Sequence, residues 1–153
     1  MWKKTVVDGK QDWPYSQFSE ANGQVVLSGQ TALKNGVLVP GGIQEQTRQA
    51  IDNSMSIVHR LGLSKRHIHD VQVILLNEED RGGFEQVYEG ELFPDPQERA
   101  PRTLIGARPA NGSLVDIKMV LSRVAPHRGP PGEPEMFSAD REVGFVFGEG
   151  QED

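Results

Sequence analysis

The 153-residue chain contains no cysteine. That removes disulfides, thiolate nucleophiles and zinc–sulfur centres from consideration. No apolar run approaches the roughly 20 residues needed to cross a bilayer, so no membrane partner is expected. The opening Met1-Trp2-Lys3-Lys4-Thr5 runs into polar residues rather than the apolar core of a secretory signal, and the cytoplasm is the expected location. Basic charge is also scarce. Lysine and arginine total 16 against 22 aspartates and glutamates, giving a net charge of −6 and a pI near 5.2. A broad electrostatic footprint for nucleic acid is therefore not expected. Of the four histidines, His59, His67, His69 and His127, only His67 and His69 share a spacing that ligates, and no acidic pattern accompanies them. No metal site is expected. The glycines match no phosphate-binding loop, so no cofactor is expected either.

What is present fits one globular domain. A chain of this length buries roughly 70% of the surface its unfolded form exposes. Met1 to Asp12 reads as a polar lead-in. Asn22-Gly23 is a turn signal, followed by a buried strand over Gln24–Gly29. Lys34-Asn35-Gly36 turns the chain again into a strand at Val37–Val39. Ile43, Thr47, Ala50, Ile51, Met55, Val58 and Leu61 recur at spacings of three and four, which predicts a helix over 43–61. Gly62 sits where a left-handed terminating residue belongs. Gln44, Gln46, Arg48, Asp52 and Arg60 form the expected solvated side.

Val71–Leu76 is apolar on both parities, as a strand covered on two sides would be. Phe84, Val87, Tyr88, Leu92 and Phe93 predict a shorter helix stopped by Pro94, and strands follow over 103–107 and 113–121. The resulting β-β-α-β-α-β-β order is an α+β mixed sheet with helices on one face. Residues 1–123 form the expected domain, and 124–153 a Pro/Gly-rich extension beginning at Pro126, Gly129, Pro130 and Pro131. Within it, Val143–Phe147 suggests a short strand or docking segment, and the last residues a disordered end. No internal repeat is visible.

Three patterns, in order, resemble the Rid/YjgF family of reactive-imine deaminases, formerly called endoribonuclease L-PSP. They are Pro14-Tyr15-Ser16-Gln17 with Val26-Leu27-Ser28-Gly29-Gln30; Gln44 to Asn53 leading through Leu61-Gly62-Leu63; and Pro101-Arg102-Thr103 with Val115-Asp116-Ile117-Lys118. The resemblance covers about residues 14–123. It implies a chorismate-mutase-like fold, a homotrimer around a central β-barrel, and clefts between subunits. The implied activity is hydrolysis of carboxylate-bearing enamines and imines to 2-oxo acids and ammonia, without metal or cofactor.

The resemblance also assigns roles. Arg102 matches the arginine that clamps the substrate carboxylate, a task suited to a planar guanidinium fork; the bland alternative is a surface arginine in a charged loop near Arg99. Leu104, two residues on, falls beside the substrate. Asp116 stands where the family usually has glutamate, as the group orienting or deprotonating water, or else as a strand-edge carboxylate paired with Lys118. Tyr15 would wall the cleft or merely pack. Ser28 and Gly29 would offer a hydroxyl and close backbone approach, or simply end a strand. Glu85 falls where many members carry asparagine; there it would repel a second carboxylate or favour a cationic group, unless it is only an exposed helix residue.

Four functions remain in play. One is general removal of 2-aminoacrylate-like imines. A second is a pathway-specific enzyme for a larger enamine or imine, toward which Asp116, Glu85 and the extension lean. A third is a catalytically silent module that binds a carboxylate ligand or holds unfolded clients. The fourth, ribonuclease activity, is disfavoured by the charge.

Overall fold

The structure, a computed structural model, describes residues 3–5 and 14–125. The expected strand or docking segment at 143–147, the disordered end, most of the extension and His127 lie outside the described residues. One sheet of six strands carries the fold, in the order β1-β2-β3-β8-β6-β7. Its strands are β1 (Lys3–Thr5), β2 (Phe18–Ala21), β3 (Gln24–Leu27), β6 (Ile68–Leu75), β7 (Arg102–Gly106) and β8 (Val115–Ser122). All neighbours pair antiparallel except β6 and β7, so the sheet is mixed. A separate ribbon pairs β4 (Leu33–Lys34) with β5 (Val37–Leu38). The helices are α1 (Ile43–Arg60) and α2 (Arg81–Val87), the latter running into a π-type turn over Tyr88–Leu92.

Local chemistry explains most of these elements. Asn22 and Gly23 both take positive φ (54° and 80°), the left-handed pair that a two-residue hairpin needs. Asn35 and Gly36 repeat the device at 52° and 79°. At the start of α1, Glu45 reaches back to accept from the Gly42 N–H at 3.0 Å, half of a capping box. Gly62, with φ of 77°, ends the helix as expected.

Both helices cover one sheet face. Val25, Leu27, Val71, Val73, Leu75, Val115, Ile117, Met119 and Leu121 point under them, with Ala50, Ile51, Val58, Phe84, Val87 and Leu92 packed above. The alternate residues of β8, namely Asp116, Lys118, Val120 and Ser122, are only half-buried. The expectation that Val71–Leu76 is covered on both sides therefore fails within one chain: Gln72 and Ile74 lie half-buried on the side the helices leave bare.

Other expectations need correction. The lead-in contributes a strand, since Lys3–Thr5 pairs with β2. The strand at Val37–Val39 shortens to two residues and belongs to the small ribbon, outside the main sheet. Gln46 is not solvated. It is 5% exposed and its carbonyl oxygen accepts from the Leu114 N–H at 2.7 Å and the Ser113 hydroxyl at 3.2 Å. An amide on the inner side of α1 thus terminates the loop before β8, satisfying a backbone donor that the sheet leaves over.

Candidate active site

Arg102 opens β7 opposite Val71, and parallel register points both side chains at the helices. There the guanidinium carbon lies 4.8 Å from the Tyr88 ring centroid and 5.5 Å from that of Phe84. The two rings come from consecutive turns of one helix, with centroids 5.3 Å apart. Cation–π attraction and burial together hold the guanidinium against these rings. Burial also pushes the Tyr88 hydroxyl up to about 12, so it stays protonated. The cleft in front of them holds about 230 Å³ and is walled by Glu85, Tyr88, Glu89, Phe93, Arg99, Ala100 and Arg102.

The Arg102 fork is already engaged. Its Nη1 donates to Glu85 Oε1 at 2.9 Å and its Nη2 to Glu85 Oε2 at 2.6 Å, a bidentate pair. The same carboxylate lies 3.5 Å from Arg81 Nε, one helical turn earlier. The Arg102 hydrogen bonds hold the Glu85 carboxyl below its ordinary value, against the opposing pull of burial. Glu85 is therefore not a plain exposed helix residue. Nor is Arg102 a loop arginine like Arg99, which donates to the Phe93 carbonyl at 3.1 Å and to Glu89 at 3.0 Å. Leu104 shares the helix-facing side of β7 and packs partly against the core.

Asp116 is placed differently. It sits opposite Ile74 and alternates with Val115 and Ile117, both fully buried under the helices, so it projects from the bare face. Burial raises its carboxyl above the ordinary 3.8, and Lys118 only partly offsets this. β8 lies inside the sheet, so Asp116 is not at a strand edge, and Lys118 on the same face is the charge that acts on it. Gly29 explains the position. A β-carbon there would stand 3.0 Å from the Asp116 carboxyl carbon, inside contact distance, so the glycine makes room for the carboxylate.

Gly29 and Tyr15 line a second, larger cleft of about 400 Å³, with Gln17, Gln30, Thr31, Asn53, Arg60 and Asn111 among its walls. Tyr15 is 53% exposed and forms part of that wall. Ser28 donates its hydroxyl to the Gln17 carbonyl at 3.3 Å, and its N–H to the same oxygen at 2.9 Å. Its observed role is to staple the segment that carries Tyr15. Asn53 holds the opposite wall, donating to the carbonyls of Thr31 at 2.9 Å and Leu33 at 2.8 Å.

The expected site residues thus fall into two groups on one chain. Arg102, Glu85 and Leu104 lie on the helix side of β7; Asp116 lies on the bare face beside Gly29, and Gly29 and Tyr15 line the second cleft, whose opposite wall comes from α1. Arg102 and Asp116 are three positions apart along β6 and on opposite faces of the sheet. Sequence reasoning missed Tyr88, Phe84 and Arg81 as parts of the site. The Phe84–Tyr88 spacing of four was visible, but it reads equally as a core stripe. Among the described residues no group of three or more histidines, aspartates and glutamates could hold a metal. His67 Nδ1 instead accepts from the Ser64 N–H at 3.1 Å, a turn contact.

Known proteins can now be set beside this geometry. Residues 10–122 match the family described as Endoribonuclease L-PSP. The chain is 33% identical over 109 residues to the mitochondrial protein mmf2 of Schizosaccharomyces pombe, covering 70% of this chain and 86% of that protein. It is 32% identical over 109 residues to a mouse protein named 2-iminobutanoate/2-iminopropanoate deaminase, covering 70% and 79%. A solved structure from Yersinia pestis, described as belonging to the conserved Rid protein family, superposes with a TM-score of 0.67 at 26% identity, covering 71% and 87%. Sequence motifs, mixed sheet and helix placement agree: the chain belongs to the Rid/YjgF (Endoribonuclease L-PSP) family.

Proposed function

We propose that the protein hydrolyses carboxylate-bearing enamines and imines to 2-oxo acids and ammonia, at sites shared between neighbouring subunits of a homotrimer. The observation that carries this reading is the division of the site. One chain offers a guanidinium clamp on an aromatic wall and, on the other face of its sheet, a desolvated carboxylate beside a glycine. Each half lacks what the other has, and a second copy of the chain supplies it. A trimer also covers the bare face bearing Asp116, Val120 and Ile74, which a single chain leaves without helices.

In this reading Arg102 binds the substrate carboxylate and orients the imine carbon. An enamine first takes a proton at its β-carbon to become the imine, and the imine nitrogen is protonated to the iminium. Asp116 takes a proton from water as its oxygen adds to the iminium carbon, giving a neutral tetrahedral carbinolamine. That proton passes to the departing nitrogen, and the hydroxyl proton returns to the Asp116 carboxylate as the C–N bond breaks and C=O forms. Ammonia and a 2-oxo acid leave, and Asp116 gives the proton up to solvent. The upward shift of Asp116 strengthens it as a base, because basicity rises as the pKa approaches the working pH. The name of the mouse relative supports the reaction class. A ribonuclease reading gains nothing from a chain of net charge −6.

The direct test generates 2-aminoacrylate enzymatically and follows its loss with and without the protein. Acceleration over the spontaneous rate is expected. Loss at the spontaneous rate, for this and for larger imines, would remove the reading. Light scattering should return about three times the 16.9 kDa chain mass.

A further inference from the structure

We propose that Glu85 is a specificity-determining residue that sets the affinity of the Arg102 clamp, acting as an internal carboxylate that a ligand must displace. This rests on the preceding assignment of Arg102 as the carboxylate-binding group. Both forked donors of Arg102 already point at Glu85, at 2.9 and 2.6 Å, in the end-on arrangement a substrate carboxylate would adopt. The pair is partly shielded, with the Arg102 side chain 20% exposed and that of Glu85 35%. Two carboxylates cannot share that fork without repulsion, so ligand binding and the Glu85–Arg102 pair exclude each other.

Arg81 makes the exchange workable. It lies 3.5 Å from the Glu85 oxygen that also meets Arg102, on the more exposed side of α2. When a ligand takes the fork, Glu85 needs only a side-chain rotation to remain paired. The displaced anion is thus transferred from one guanidinium to another and never stranded, which keeps the exchange reversible. Arg81 therefore acts on affinity without touching the ligand.

The consequence is a class of substrate. Displacing Glu85 consumes binding energy, so a three- or four-carbon imino acid, whose carboxylate is its main handle, binds weakly. A larger enamine or imine, with further surface to lay against the Arg99 and Ala100 walls of the cleft, recovers what the exchange costs. The protein is accordingly better suited to the larger class.

The experiment measures binding of 2-oxobutanoate, a stable carboxylate of the product class, to the full-length assembled protein by calorimetry, alongside kinetics on the matching imine. Glu85→Gln should tighten 2-oxobutanoate binding at least 10-fold and lower KM similarly while moving kcat by less than about 3-fold. Glu85→Asn should behave alike, which guards against a fold-specific artefact of either variant. Arg81→Ala should weaken binding when Glu85 is present and have no effect in the Glu85→Gln background. Equal affinity in wild type and both Glu85 variants, with binding still abolished by Arg102→Ala, would overturn this proposal and leave the proposed function standing. Arg102→Ala binding and turning over as wild type does would overturn both.

Discussion

Gly29→Ala is the substitution whose outcome the geometry fixes most tightly. The backbone at Gly29 is not in the left-handed region, so the added methyl is not penalised by φ. It is penalised by Asp116, whose carboxyl carbon would stand 3.0 Å and whose Oδ2 3.1 Å from the new β-carbon. Aspartate is short, and its carboxylate can escape only by rotating about two bonds. That escape is cheap for the fold: about 1 kcal/mol, the low end for overpacking, or roughly 2–4 °C in Tm for a domain of this size. For chemistry it is expensive, because displacing a water-activating group by about an ångström lowers kcat by up to about 100-fold. The expected signature is a well-folded protein with a small loss of Tm, a large loss of kcat and little change in KM. Adding Asp116→Ala to Gly29→Ala should restore the lost Tm and none of the activity. A Gly29→Ala protein with wild-type Tm and kcat would refute the placement of the Asp116 carboxylate or its part in the reaction.

Three further outcomes are expected. Arg102→Ala should lower kcat/KM by about 30- to 4,000-fold, corresponding to about 2–5 kcal/mol for one broken partly buried charge pair, with Arg102→Lys recovering only part; steady-state kinetics on one imine series checks this, and Asp116→Asn should instead fall mainly in kcat. Burial raises the Asp116 carboxyl in the folded state above its ordinary 3.8, so folding favours the protonated acid; this contribution is fully present below 3.8 and lost as pH rises through the raised value, and urea titrations across that window should show a decline that Asp116→Asn abolishes. Gln46→Leu should cost about 1–3 kcal/mol in urea unfolding, because the Leu114 N–H loses its acceptor, while the Ser113 hydroxyl keeps the Val115 carbonyl at 2.8 Å.

Much of the fold was legible because its signals are local. The three-and-four spacing of α1, the Asn-Gly turns and the Gly62 stop each follow from the chemistry of a few neighbouring residues. The strand before Asn22-Gly23 was missed: the pair was read only as a turn into Gln24–Gly29, although a two-residue hairpin turn also needs a strand before it, here Phe18–Ala21. Gln46 was misread because its partners, Ser113 and Leu114, are far away in sequence, and an amide carries no mark of burial. The two-sided apolar pattern of β6 was read as cover on both sides, and within one chain only the helix side has it. Half-buried Ile74 answers to a face that one chain does not cover.

The candidate site divides along the same line. Arg102, Asp116 and Gly29 were picked out by motif resemblance, while their surroundings became visible only through contacts between distant parts of the chain. Glu85 shows the limit most clearly. As a letter in a helix it is compatible with an exposed, repelling or cation-seeking carboxylate. Only the register that brings β7 under α2 reveals that it grips Arg102.

Subunit complementation tests the central claim, a site whose clamp and base come from different chains. Arg102→Ala and Asp116→Asn proteins, each nearly inactive alone, would be mixed in equal amounts under conditions that exchange subunits. If Arg102 of one chain works with Asp116 of its neighbour, a random trimer rebuilds intact both halves at roughly a quarter of its sites. The account predicts recovery of about that fraction of wild-type imine hydrolysis. A mixture that demonstrably exchanges subunits yet stays as inactive as its components would contradict it.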